Sequence, residues 1–140
     1  MLESSVNAAR EVLDVRVLNT RGLIESLREG LSTRSFEVLR ARLGWSQSAL
    51  AETLHIPERT LMRRLNQGRM SSEESQRLLR LARIVARGEE LFERSDRLGE
   101  WLRSPVRGLG QERPVDYLDT DLGAEEVEAL IMRLLHGIVT

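Results

Sequence analysis

The chain has 140 residues, of which 41% are hydrophobic and 31% are charged, with a formal net charge of -1. This composition is typical of one or two small globular units and excludes a disordered chain. The chain contains no cysteine, which excludes disulfides and cysteine-based zinc sites, and His55 and His136 lie too far apart in sequence to indicate a metal site. No apolar run could span a membrane and the N-terminus is too acidic for a signal peptide, so we expect a cytoplasmic protein with no membrane partner.

Apolar periodicity predicts helices along most of the chain, and strand signals are nearly absent. Residues 1–19 have weak capping signals, and we expect them to form an N-terminal extension that frays. Leucines spaced four apart predict a helix over 23–31, and a second apolar stripe predicts a helix over 36–43 that ends near Gly44. The sequence therefore predicts an all-α protein.

The stretch WSQSALAETLHIPERTLMRRLNQG, residues 45–68, has the pattern of a helix-turn-helix. Ser46 can cap a short first helix, the small Ala51 lets a second helix cross closely, and Pro57 presets the first turn of that second helix. The stretch resembles the helix-turn-helix of the Xre and Cro repressors with one departure, since His55 stands at the turn position that is usually glycine. Histidine tolerates the positive φ expected there better than most residues. A plain helical hairpin inside a bundle is the alternative interpretation.

The second helix of this motif is predicted to meet base edges in the major groove of DNA. Arginine can donate two hydrogen bonds to guanine, and a side chain at the start of the first helix can contact a phosphate. The predicted DNA-binding residues are Gln47, Arg59, Thr60, Arg63, Arg64 and Arg69.

The second half of the chain is predicted to hold two amphipathic helices separated by an irregular segment. Ser71 and Glu74 have the spacing of a capping box at the start of a long helix, and Gly137 is the predicted C-cap of the last helix. The segment 104–122 contains a Gly-x-Gly, but it lacks the preceding strand, the lysine and the glycine spacing of a phosphate-binding loop. A packing or surface role is left for it.

The chain has a basic middle segment and an acidic C-terminal segment. Residues 34–87 carry eleven arginines against five glutamates, whereas residues 88–140 carry six arginines against twelve acids. A basic segment followed by an acidic one indicates a nucleic-acid face next to a part that avoids phosphate. Chance partitioning of solvated helix faces explains the same counts equally well.

From about Arg21 to the C-terminus, the sequence resembles antitoxins of the Xre/MbcA/ParS type, and its helix-turn-helix resembles those of the Xre and Cro repressors. The unusual second half carries the resemblance. The matching positions are Trp101-Leu102, Ser104-Pro105, Gly108-Leu109-Gly110, Pro114, Leu118-Asp119-Thr120, Gly123, Val127 and His136-Gly137.

The resemblance implies an Xre-like helix-turn-helix region over 20–95 and a small helical toxin-binding domain over 96–140. Such antitoxins are encoded beside toxins of the RES class, which resemble ADP-ribosyltransferases and use NAD. The resemblance further implies a RES-type toxin encoded by the neighbouring gene as partner, a homodimer, and repression of the antitoxin's own operon through operator DNA. It implies no cofactor and no enzymatic activity.

The toxin-binding residues are expected in the irregular segment and at the C-terminus. Trp101 and Leu109, taken singly, fit a place in the core better than a contact. The last residues are compatible with a frayed end as well as with an apolar plug for a toxin cleft. The predicted toxin-binding residues are Trp101, Pro105, Gly108, Leu109, Gly110, His136, Gly137, Ile138, Val139 and Thr140.

Two other functions are alternatives to an antitoxin. A stand-alone helix-turn-helix repressor, whose second half dimerises or senses a ligand, is the alternative to an antitoxin. An enzyme is disfavoured because no nucleophile with a base, carboxylate pair or metal cluster can be assembled from these positions.

Overall fold

The computed structural model describes residues 4–137, with side chains from residue 5 onward. This part of the chain contains no β-strand, and none of its helices is long and apolar enough to cross a lipid bilayer. The all-α prediction is confirmed. Its α-helices are α1 Ser4–Val12, α2 Thr20–Glu29, α3 Thr33–Leu43, α4 Gln47–Thr53, α5 Glu58–Gln67, α6 Ser72–Leu91, α7 Ser95–Leu102 and α8 Asp121–Leu135.

Helix α6 is the axis of the fold, because α1, α2, α7 and α8 all pack against it. Its inward face buries an apolar stripe that includes Leu78, Leu81 and Val85. One continuous cluster of buried side chains joins this stripe to Leu50 in the first half of the chain and Ile131 in the second. The two predicted regions therefore share a core, and neither has a separate one.

Helix α1 corrects the expectation of a frayed N-terminal extension. Ala9, Val12 and Leu13 are at most 4% exposed and belong to the common core. Beyond the helix end, the hydroxyl of Ser35 donates to the carbonyl oxygen of Leu13 at 2.9 Å. Partners distant in sequence thus complete a helix that lacks strong caps of its own.

The predicted local signals of the helix-turn-helix region are confirmed. The hydroxyl of Ser46 accepts the N–H of Ala49 at 3.0 Å, and Ser71 and Glu74 cap one another's backbone N–H groups at the start of α6. His55 has a φ of +57°, the positive value that its turn position requires. The caps begin α4 and α6, and the positive φ of His55 turns the chain between α4 and α5.

Ion pairs connect the basic and acidic halves of the sequence. Arg80 pairs with Asp121 at 2.7 Å and Arg87 with Glu128 at 3.1 Å, while Arg42 pairs with Glu89 at 2.5 Å. Arg80 and Arg87 are seven residues apart on α6, and their partners are seven residues apart on α8 in the same order. The two helices therefore run parallel, side by side. Part of the charge asymmetry therefore serves to dock the second half on the first.

The irregular segment between α7 and α8 is compact. It contains two 3₁₀ turns, Arg107–Leu109 and Pro114–Tyr117, and the second begins at proline. The N–H of Val106 donates to the carbonyl oxygen of Glu112 at 3.0 Å, and the hydroxyl of Tyr117 donates to the carbonyl oxygen of Leu109 at 3.3 Å. The segment is held in place by its own hydrogen bonds.

Candidate DNA-binding and toxin-binding surfaces

Helix α5 presents a basic outer face. Leu61 is buried, whereas Arg59 and Arg63, four residues apart on the other side of the helix, are exposed, and Thr60 beside them is half-buried. Neither arginine forms an ion pair within residues 4–137. These two guanidinium groups are free to meet a polyanion.

Arg64 does not lie free on this face, which corrects the prediction for that residue. Its side chain is 22% exposed, and its Nε donates to Oε1 of Glu74 at 2.8 Å. Burial alone would raise the pKa of Glu74, but hydrogen bonds from Arg64 and Ser71 outweigh it and hold the pKa below its ordinary value. Arg64 therefore ties α5 to the start of α6.

The other two predicted DNA contacts have partners inside the protein. Nη1 of Arg69 donates to the carbonyl oxygen of Gly30 at 2.7 Å, and the amide of Gln47 donates to Oε1 of Glu37 at 2.6 Å. Both residues are nevertheless exposed, and Gln47 begins α4 as predicted. A phosphate contact through either side chain remains a prediction.

The predicted toxin-binding residues of the irregular segment divide between surface and core. Leu109 is 4% exposed and belongs to the core, so its side chain does not present a contact. Trp101 is half-buried against Phe92, with ring centroids 5.7 Å apart. Pro105, Gly108 and Gly110 are exposed.

The C-terminal part of the predicted toxin contact is described only in part. His136 and Gly137 are exposed at the end of α8, and Gly137 has a φ of +72°, as predicted for the residue that ends this helix. Ile138, Val139 and Thr140 lie outside the described residues.

The structure also forms an acidic groove of about 370 Å³ that the sequence reasoning missed. Its lining includes the side chains of Tyr117 and Leu122, the latter 72% exposed. No arginine lines it, and its carboxylates belong to Glu112, Asp116, Asp119 and Glu126. The density of acids between residues 112 and 126 is the sequence signal that could have revealed it.

An arginine connects this groove to the helix-turn-helix. Nη2 of Arg113 lies 2.9 Å from Oδ1 of Asp116 and 3.8 Å from Oε1 of Glu52 on α4. The hydrogen bond from Arg113 is the main reason that the pKa of Asp116 is lowered, and His55 adds to it. The irregular segment therefore lies against the end of α4 and the turn that follows it.

Comparisons with known proteins show the family to which the chain belongs. A family model for the antitoxin Xre-like helix-turn-helix domain matches residues 22–83, and a model for the antitoxin Xre/MbcA/ParS C-terminal toxin-binding domain matches residues 87–137. The chain is 34% identical over 119 residues to antitoxin Xre of Photorhabdus laumondii, covering 81% of this chain and 78% of that protein. The chain belongs to the Xre antitoxin family.

Further relatives agree with this assignment. Antitoxin Xre of Yersinia enterocolitica is 35% identical over 121 residues, covering 83% of this chain and 80% of that protein. The Prs ADP-ribosylating antitoxin of a Sphingobium species is 27% identical over 121 residues, covering 79% of this chain and 76% of that protein. The chain is thus the antitoxin of a toxin–antitoxin system, with a helix-turn-helix domain, and not an enzyme.

The matched regions meet within α6, between residues 83 and 87, whereas the sequence interpretation divided the chain at residue 95. The N-terminal part of α6 carries the capping box that receives Arg64 from α5. Its C-terminal part pairs with α8 through Arg87 and Glu128. In this antitoxin one helix therefore serves both the DNA-binding and the toxin-binding region.

Proposed function

We propose that this antitoxin binds and blocks a RES-type toxin that consumes NAD and is encoded by the neighbouring gene. We further propose that it represses its own operon as a homodimer. The match of residues 87–137 to a toxin-binding domain carries the first part of the proposal. The relative named for ADP-ribosylation of Prs supports a toxin with NAD chemistry, because ADP-ribosyl transfer uses NAD as its donor.

The charge of the second half supports inhibition of such a toxin. After the ion pairs with α6 are formed, Asp119 and Glu126 still line the acidic groove without an ion pair among the described residues. A cleft that binds an anionic dinucleotide is expected to be positive, and an acidic surface accelerates association with it. The groove, the surface from Trp101 to Gly110, and the exposed residues His136 and Gly137 are described surfaces available for this contact.

The outer face of α5 supports repression. Arg59 and Arg63 are exposed and have no ion-pair partner among the described residues. Helix α5 is the second helix of the motif, the one that enters the major groove in helix-turn-helix proteins. One such helix reads one half-site, and a symmetric operator therefore requires two copies of the chain.

Co-expression with the neighbouring gene tests the antitoxin assignment. We expect a stable complex on purification, restored growth, and an NAD level that falls only when the antitoxin is absent. A neighbouring protein that neither co-purifies nor depletes NAD would contradict the proposed toxin class.

Promoter binding tests repression separately. We expect the Arg59→Ala, Arg63→Ala double variant to lose preference for its own promoter over a scrambled duplex, with each direct base contact worth about 1–3 kcal/mol. Toxin neutralisation should be unchanged, because both side chains lie on α5. Promoter binding equal to that of the wild type would contradict the assignment of α5.

A further inference from the structure

The toxin-binding region places one arginine at the edge of the helix-turn-helix. The guanidinium carbon of Arg103 lies 5.8 Å from the centroid of the Trp45 ring. Arg103 is exposed and forms no ion pair within residues 4–137. Trp45 directly precedes Ser46, the N-cap of α4. A positive charge from the second half of the chain therefore lies beside the start of the first helix of the motif.

The backbone that carries this arginine is held in place, because α7 is docked closely on the corner between α3 and α4. The indole Nε1 of Trp45, a residue only 5% exposed, donates to the carbonyl oxygen of Gly99 at 3.1 Å. Gly99 packs against the carbonyl oxygen of Leu43, and any side chain at this position would overlap that oxygen. Arg103 follows Gly99 by four residues and so lies over the same face of α7 as this contact.

Trp45 contacts two arginines, Arg40 and Arg103. Nη1 of Arg40 donates to the carbonyl oxygen of Trp45 at 2.8 Å, and Arg40 also pairs with Glu37, which accepts from Gln47. The carboxylate of Glu37 is thus already shared between two donors. Arg40 is therefore neutralised by Glu37. Arg103 is the second positive charge beside Trp45, and within residues 4–137 it has no carboxylate partner.

In helix-turn-helix proteins, the first helix of the motif crosses the DNA backbone while the second enters the major groove. The start of α4, with Gln47, is the part of the motif expected to meet a phosphate. Arginine suits this contact because it stays charged and can stack on an aromatic ring while donating hydrogen bonds.

We infer that Arg103, held over Trp45, is a DNA-phosphate contact that the toxin-binding region contributes to the operator interface. This inference rests on the operator binding proposed above. The contact carries no base preference, and it sets affinity rather than sequence choice. It extends the DNA surface beyond residues 22–83, the part matched by the helix-turn-helix model.

The test compares Arg103→Gln with Arg97→Gln, which removes the same charge from an exposed side chain of α7. Arg97 likewise forms no ion pair with any described residue. Arg97 is two positions before Gly99, so it lies on nearly the opposite face of the helix. Arg103→Lys restores the charge. Circular dichroism and thermal melting confirm that each variant is folded.

Binding is measured by fluorescence anisotropy against a duplex from the chain's own promoter and a scrambled duplex, at several salt concentrations. We expect Arg103→Gln to weaken binding to both duplexes alike, by roughly two- to fivefold per protomer. The slope of log affinity against log salt should flatten by about 0.9 for each phosphate that the variant no longer neutralises. Arg97→Gln should match the wild type, and Arg103→Lys should recover most of the affinity.

The inference is overturned if Arg103→Gln keeps the affinity and salt slope of the wild type while Arg59→Ala, Arg63→Ala loses promoter preference. That result would leave operator binding by α5 intact. An equal loss of affinity in Arg97→Gln also overturns it, because the effect would then be one of net charge. If the wild type binds neither duplex, operator binding itself fails and the inference fails with it.

Discussion

Nε of Arg64 on α5 lies 2.8 Å from Oε1 of Glu74, and the same oxygen accepts the backbone N–H of Ser71 at 2.8 Å. One carboxylate oxygen thus caps α6 and holds α5 against it. The side chain of Glu74 is 8% exposed, so loss of its partner would leave a buried charge unpaired.

Two neighbouring arginines on α5 should affect different properties when each is replaced by alanine, one the stability of the fold and the other DNA binding. We expect Arg64→Ala to lower the free energy of unfolding by about 1–3 kcal/mol, since it leaves Glu74 without its charged donor. Arg63→Ala should change stability by less than about 0.5 kcal/mol, because its side chain is exposed, and should weaken promoter binding. Urea denaturation and anisotropy on both variants check this, and similar stabilities would contradict the role given to Arg64.

The pH dependence of stability should report on Glu74. Its pKa is lowered in the folded state, so the carboxylate contributes stability above the pKa of the unfolded chain, which is about 4.3. This contribution is lost as the pH falls through the folded-state value. Asp14 and Asp116 also have lowered pKa values and would contribute in the same direction.

A comparison with Glu74→Gln isolates the contribution of this one residue. We expect the wild type to be more stable at pH 7 and the difference to shrink as urea denaturation is repeated toward pH 3. A difference that stays constant over this range would show that the charge of Glu74 contributes nothing.

Helix α1 should be required for stability. Leu13 is 0% exposed, and Leu13→Ala is expected to cost about 2–5 kcal/mol through the cavity it leaves. Leu18 is 99% exposed and provides a matched control, for which Leu18→Ala should change stability by less than about 0.5 kcal/mol. Equal denaturation midpoints for the two variants would contradict the packing of α1.

Removal of residues 137–140 should release toxin activity while the fold and DNA binding are kept. These residues follow α8, and Gly137 is exposed. Leu130→Ala, which truncates a side chain only 3% exposed, should damage both fold and inhibition. Cell survival and NAD level on co-expression, with circular dichroism of each variant, are the measurements.

Full protection by the truncated chain would show that the C-terminal residues do not carry inhibition. The toxin contact would then have to lie on the acidic groove with Leu122 or on the surface from Trp101 to Gly110.

The sequence by itself determined the local structure. Helix periodicity, the caps at Ser46 and Ser71, and the turn at His55 depend on residues within a few positions of one another, and each is present in the structure. The helix-turn-helix and the basic outer face of α5 follow from the same short-range pattern. Leu109 shows the limit of this approach, because its place in the core depends on elements far along the chain.

Only the tertiary structure decided which charges are used for packing and which are free. Arg63 and Arg64 are adjacent and chemically identical, yet one is exposed and the other is bound to Glu74 ten residues away. Arg103 reaches Trp45 across 58 positions of sequence. An arginine side chain is long and can serve either purpose, so the packing of α5, α6 and α7 selects its partner and thereby decides which residues are left to meet DNA or toxin.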